Sequence, residues 1–254
     1  MNIINRVLIP IDFSDNAMNA VKYVLGMAET DKKIKFFLYH VASQISDQEE
    51  QKLLDIKTRM FDPDKIDCEI VLEKGNFVEQ LIEDQARLKI DLVIMGMAEN
   101  KNGNQSFTVD LLQGADCPLL IIPAKVEGFK LKNIALTLDE EEFDSSKDLR
   151  VFHDIAKWFN AKVHLIKVDK EGKGGAHALK TEDTLDYYLE SLEYHYSFPK
   201  NEDIEKGILE YVAEKNIDAL AIMPRTHAQK SIPSEGRLTK ALAKQIEIPL
   251  LILD

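Results

Sequence analysis

Short apolar runs rich in Val, Ile and Leu recur along the chain, and each gives way to a stretch whose apolar residues return every three or four positions. The first run is Val7-Leu8-Ile9-Pro10-Ile11-Asp12. Behind it, Ala17, Ala20, Val21, Val24 and Ala28 fall on one face of a helix, with Ser14 placed to cap it. Further runs stand at residues 35–41, 90–95 and 117–122. None alternates strictly between apolar and polar, which predicts parallel strands covered on both faces. Strand-like and helix-like segments in turn predict βαβ units. With right-handed crossovers these units give an open, doubly wound α/β sheet.

The pattern then starts again. Ile134-Ala135-Leu136-Thr137-Leu138-Asp139 repeats the first run, and Asp139 stands 127 residues after Asp12, half the chain. Leu149, Phe152, Ala156 and Phe159 predict the matching helix, with Ser145 as its cap. Residues 162–168, 217–222 and 248–253 match 35–41, 90–95 and 117–122 in order. A duplicated domain follows. The expected architecture is two tandem, open, doubly wound parallel sheets of five strands each with helices on both faces. The domains are placed at 1–125 and 131–254, and the second carries an extra Gly-containing loop at 169–180. In such sheets ligands bind at the carboxyl ends of the strands, where strand order reverses. Asp12, Asp139 and the turns after Gly96 and Met223 all belong at that end.

Composition narrows the function. Apolar residues make up 45% and charged residues 30% of 254, with a formal charge of −12, the profile of a folded globular protein. Asp and Glu outnumber Lys and Arg by 21 to 14 in residues 1–127 and by 23 to 18 in 128–254. Neither half has the basic footprint that nucleic acid requires. The longest apolar runs are too short for a signal peptide or a membrane span, and two cysteines, Cys68 and Cys117, suit a reducing compartment. The chain is expected to be cytoplasmic, with no membrane partner.

Several blocks together resemble the universal stress protein family: V-L-I-P-I-D-F-S at strand one, L-Y-H-V ending strand two, D-L-V-I-M-G at strand four and C-P-L-L-I-I-P at the end of the first copy. The resemblance covers residues 3–124, and more loosely 132–254. It implies an adenine-nucleotide site formed by Pro10, Asp12, Val41, Gly96, Gly103, Ser106 and Thr108, with degenerate equivalents Asp139, Val168, Gly236 and Thr239. It also implies pairing of the two copies through their terminal strands, residues 119–122 and 250–253, and leaves a homodimer of the tandem chain open. Protein partners are unknown from sequence.

ATP-binding members carry Gly, two residues, Gly, nine residues, Gly and then Ser or Thr after strand four, so that backbone N–H groups can approach the phosphates. Here Glu99 takes the second glycine position, and the interval to Gln105-Ser106 is four residues short, with Gly103 the candidate substitute. A carboxylate at the phosphate seat costs about 1 kcal/mol. In the second copy Met223 and Thr226 replace the first two glycines, Pro224 removes a backbone donor and Arg237 replaces the hydroxyl residue.

Other chemistry is thin. Asp12 reads either as a contact to adenosine or as a strand-end cap, and Ser106 and Thr108 read equally as helix caps. His40 reads as a packed side chain. The stretch Lys170 to Gly175 lacks the Ser/Thr of a phosphate loop. Tyr187, Tyr188, Tyr194, His195 and Tyr196 read as a helix-to-edge-strand segment. There is no metal-ligand spacing among the six histidines, no G-x-S-x-G, no C-x-x-C and no S-G-G-x-D-S loop. The expectation is a non-catalytic stress-response protein acting as a regulatory or interaction module, with AMP or ATP held weakly in the first copy if at all. A true ATP-binding switch and an enzyme acting on adenylate remain as alternatives.

Overall fold

The computed structural model describes residues 4–28, 34–97, 117–138, 146–170, 182–223 and 237–253. The chain divides into two compact units, Met1–Phe129 and Lys130–Asp254.

In the first unit, β1 (Arg6–Pro10), β2 (Lys35–Ala42), β3 (Cys68–Lys74), β4 (Leu92–Gly96) and β5 (Leu119–Ile122) form a parallel sheet in the order β3-β2-β1-β4-β5. Between them lie α1 (Asp15–Ala28), α2 (Asp47–Ile56) and α3 (Phe77–Arg87). The continuous apolar strands are covered on both sides: Val7, Leu8, Ile9, Phe36, Phe37, Leu38 and Tyr39 are fully buried. The five apolar positions expected on α1 are buried, and Tyr23 and Met27 join them. Ser14 caps α1, its hydroxyl accepting from Ala17 N at 3.2 Å. Ser46 and Glu49 make a reciprocal capping box at the start of α2.

The second unit repeats the plan with β6 (Asn133–Thr137), β7 (Lys162–Ile166), β8 (Tyr194–Ser197), β9 (Ala219–Ile222) and β10 (Leu250–Ile252), ordered β10-β9-β6-β7-β8 and parallel throughout. Its helices are α4 (Ser146–Trp158), α5 (Glu182–Leu189), α6 (Ile204–Glu214) and α7 (Arg237–Gln245). Leu149, Phe152 and Ala156 are buried on α4, but Phe159 lies past the helix end, half-buried and stacked on Trp158 at 4.7 Å. The expected edge segment is present: β8 closes one side of this sheet with β7 as its neighbour.

The duplication extends to individual hydrogen bonds. Asp91 Oδ2 accepts the backbone N–H groups of Asn5 and Arg6 at 2.8 and 2.9 Å, and Asp218 Oδ2 accepts those of Lys132 and Asn133 at the same two distances. Each carboxylate therefore fastens the start of its unit's first strand to the turn before β4 or β9. Asn76 caps α3 and Asp203 caps α6, again 127 residues apart. After those helices Lys89 and Asn216 take the same left-handed conformation, at φ 51° and 50°.

Candidate functional site

The first unit's strand order reverses between β1 and β4, because the chain builds β2 and β3 on one side of β1 before crossing to β4 on the other. Such a reversal opens a crevice at the carboxyl ends of the strands. Asp12 follows β1, Val41 lies near the end of β2, and Gly96 ends β4. The structure thus brings these three expected residues to one end of one sheet. Pro10 is buried on β1 beneath them.

Asp12 is exposed, and its Oδ1 accepts from Ser14 N at 2.9 Å and Ser14 Oγ at 2.5 Å. It braces the cap of α1, the structural role open to it from sequence, while its other oxygen carries none of these bonds. Phe13 between them sits at φ 63°, an unusual conformation for an aromatic residue.

Gly96 has a packing reason to be glycine. A Cβ there would lie 2.1 Å from the carbonyl oxygen of Asn16, 2.4 Å from its carbonyl carbon and 3.0 Å from Ala17 N. The first turn of α1 rests directly on the end of β4, so this glycine by itself is no sign of a phosphate loop.

His40, on β2, is packed as expected, but it also ties three elements together. Its Nδ1–H donates to Ile11 O at 2.6 Å, its Nε2 stands 3.6 Å from Glu49 Oε1, and its ring lies 4.8 Å from Phe13. Lys52 sits over Phe13 at 5.1 Å. The hydroxyl and backbone N–H of Ser46 hold the Glu49 carboxyl below the usual range. Sequence reading missed this clamp around Asp12, although S-x-x-E at Ser46–Glu49 was a legible capping signal.

A polar cluster links β2, β3 and α3, buried at Tyr39 and Asp84 and exposed at Arg87. Tyr39 donates to Asp84 Oδ2 at 2.8 Å, and Arg87 donates to Asp84 Oδ1 at 2.6 Å and to Glu73 at 2.6 Å. Burial, then the bond to Asp84, pushes the Tyr39 hydroxyl far above its ordinary range. Burial likewise pushes the Cys68 thiol up to about 12, so it is a poor nucleophile near neutrality. Cys117 is also buried, its Sγ donating to Gln85 at 3.2 Å.

Gly103, Ser106, Thr108, Asp139 and Gly236, with the stretch 171–175, lie outside the described residues. In the second unit Val168 is packed against α6, where a Cβ at Gly207 would meet its Cγ1 at 2.9 Å, and Thr239 is buried within α7. Tyr194 and Tyr196 both donate to Asp186, at 2.9 and 2.8 Å, so these rings are held structurally. Among the described residues no cluster of three or more His, Cys, Asp or Glu could hold a metal ion, and no helix is long and apolar enough to cross a membrane.

No protein-family model matches the chain, and no curated protein matches it. Solved structures do. A universal stress protein from Archaeoglobus fulgidus is similar with a TM-score of 0.73 at 16% identity, over 98% of each chain. A candidate universal stress protein from Pseudomonas aeruginosa is similar at 0.70 and 15% identity, over 99% of this chain and 94% of that one. The cytoplasmic domain of a prokaryotic cation chloride cotransporter is similar at 0.62 and 11% identity, over 99% and 95%. One architecture thus serves proteins with different tasks, and function has to be argued from the site. The fold of this chain is that of the universal stress proteins.

Proposed function

We propose that the protein is a non-catalytic, cytoplasmic stress-response module with a regulatory or interaction role, and that its first unit binds an adenine nucleotide weakly by the adenosine end. The observation that carries this reading is the exposed Asp12 carboxylate at the strand-order reversal, with Val41 and Gly96 at the ends of the flanking strands. A carboxylate there can accept from ribose hydroxyls or an amino group, and Val41 offers an apolar wall. The fit is to the adenosine part of the ligand. The phosphate end would depend on Gly103, Ser106 and Thr108, and the sequence sets Glu99 beside them. The position matching Val41 in the second unit, Val168, is taken up by packing on α6. That favours one site per chain.

Calorimetric titration with AMP and ATP tests the reading. Both should bind the wild-type chain with dissociation constants on the order of 10 µM to 1 mM, because added phosphate charge meets Glu99 and a chain of net charge −12. Asp12→Ala should remove binding and Asp139→Ala should leave it unchanged. ATP binding tenfold tighter than AMP would show that phosphate contacts dominate and would defeat the adenosine-end reading.

A further inference from the structure

His164 on β7 and His195 on β8 are direct partners across neighbouring strands, with ring centroids 4.2 Å apart and the rings edge to face. His164 is buried, and its Nδ1 shares a hydrogen bond of 3.0 Å with the Tyr211 hydroxyl, which in turn lies 2.7 Å from Ser197 Oγ. His164 Nε2 and His195 Nδ1 are both buried and have no hydrogen-bond partner. Protonating His164 would place an N–H where no acceptor stands, beside a second imidazole.

The surrounding charges oppose that proton. Lys162 on β7 and Lys215 at the end of α6 both act on the pair. Glu193, just before β8, acts the other way on His195, but it is largely exposed and ion-paired with Lys162 at 2.8 Å. Across β6 the register neighbour of His164 is Ala135, which carries no charge. Tyr211 on α6 and Ser197 on β8 complete the polar surroundings. Burial first, then His195, Lys162 and Lys215, lowers His164 to about 4, and burial lowers His195.

We propose that the second unit contains an acid-responsive latch, in which proton uptake by His164 and His195 releases the edge strand β8, together with α5, from β7. The strand is suited to this, since it is four residues long and β7 is its neighbour in the sheet. Tyr194 and Tyr196 tie it to Asp186 of α5, so strand and helix leave as one piece. The direction follows from linkage. An ordinary histidine titrates near 6.5, so the opened form takes up protons between about 6.5 and 4 that the closed form refuses, and closure weakens as pH falls through that range. Release bares the backbone hydrogen-bonding edge of β7. The first unit has no such device: Phe37 stands at the position of His164, and its neighbour on β3 is Glu69.

Amide hydrogen exchange on the full chain tests the latch. After correction for intrinsic exchange, residues 182–199 should lose protection about tenfold or more between pH 7 and 5, while Cys68–Lys74 keep theirs. His164→Phe, the first unit's own solution, should remove most of the pH dependence of protection at 182–199 and leave only the share that His195 carries. Equal pH dependence in the two edge strands, or unchanged pH dependence in His164→Phe, overturns the proposal. If that variant fails to fold, nuclear magnetic resonance titration of the wild-type imidazoles decides: His164 titrating near 6.5 with β8 intact defeats the latch, and His164 resisting protonation until β8 signals vanish supports it.

Discussion

Replacing Gly96 with alanine should destabilise the first unit even with no ligand present. The new methyl would sit 2.1 Å from Asn16 O and 2.4 Å from Asn16 C, where ordinary contact begins near 3.4 Å. All three nearest atoms are backbone atoms in the first turn of α1, so no side-chain rotation relieves the clash. The helix start must retreat by more than an ångström from β4, and with it the Ser14 cap and the Asp12 carboxylate that braces it. Overpacking of this kind costs about 1–3 kcal/mol. At several degrees per kcal/mol for a unit of this size, the melting temperature of the first unit should fall by roughly 5–15 °C. Differential scanning calorimetry of the full chain reads the shift, with Gly128→Ala as comparison. Gly128 has φ 74° and nothing within 4 Å of the added carbon, so its substitution carries only backbone strain of about 1–2 kcal/mol. A Gly96→Ala chain that melts with the wild type refutes the packing argument. If that same chain also lost nucleotide binding, the glycine would be serving ligand approach after all.

Three further outcomes are expected. Asp218→Ala should cost about 2–4 kcal/mol in a chemical denaturation series, since it strips the acceptor from the backbone N–H groups of Lys132 and Asn133 and leaves Lys130 unpaired. Burial alone would raise the Asp218 carboxyl, but Lys130 and the two N–H groups outweigh it and hold it down; its stabilisation is therefore complete above about pH 3.9 and is lost as pH falls through the lower folded value. ATP incubated with the protein and magnesium or manganese should show no turnover above an Asp12→Ala control, and activity that tracks Asp12 would sink the non-catalytic reading. Residues 1–126 produced alone should self-associate, because the sequence ends that copy in the apolar strand Leu119–Ile122; a fragment that stays monomeric and folded at high concentration contradicts the expected role of the terminal strands.

Element type was legible from the sequence because it rests on neighbours a few residues apart. Period-3.6 burial on α1 and α4 and the unbroken apolar runs of β1, β4 and β9 follow from which side chains must leave water, and that needs no knowledge of distant contacts. The repeat at 127 residues was legible for the same reason, and it carried the Asp91–Asp218 correspondence, though not the shared backbone clasp behind it. An open, doubly wound sheet was expected from crossover handedness, and the strand order of each unit reverses beside its first strand. What only tertiary structure decided were contacts between residues far apart in sequence. Gly96 looked like the first glycine of a phosphate loop until the turn of α1, about 80 residues earlier, was found resting on it. His164 and His195 are ordinary residues in isolation, and become an edge-to-face pair, each with a buried ring nitrogen that has no partner, because parallel β7 and β8 set them in register. Parallel strands are joined by crossovers, so the partner of any strand residue lies tens of positions away, and local pattern holds no information about which side chain will face it.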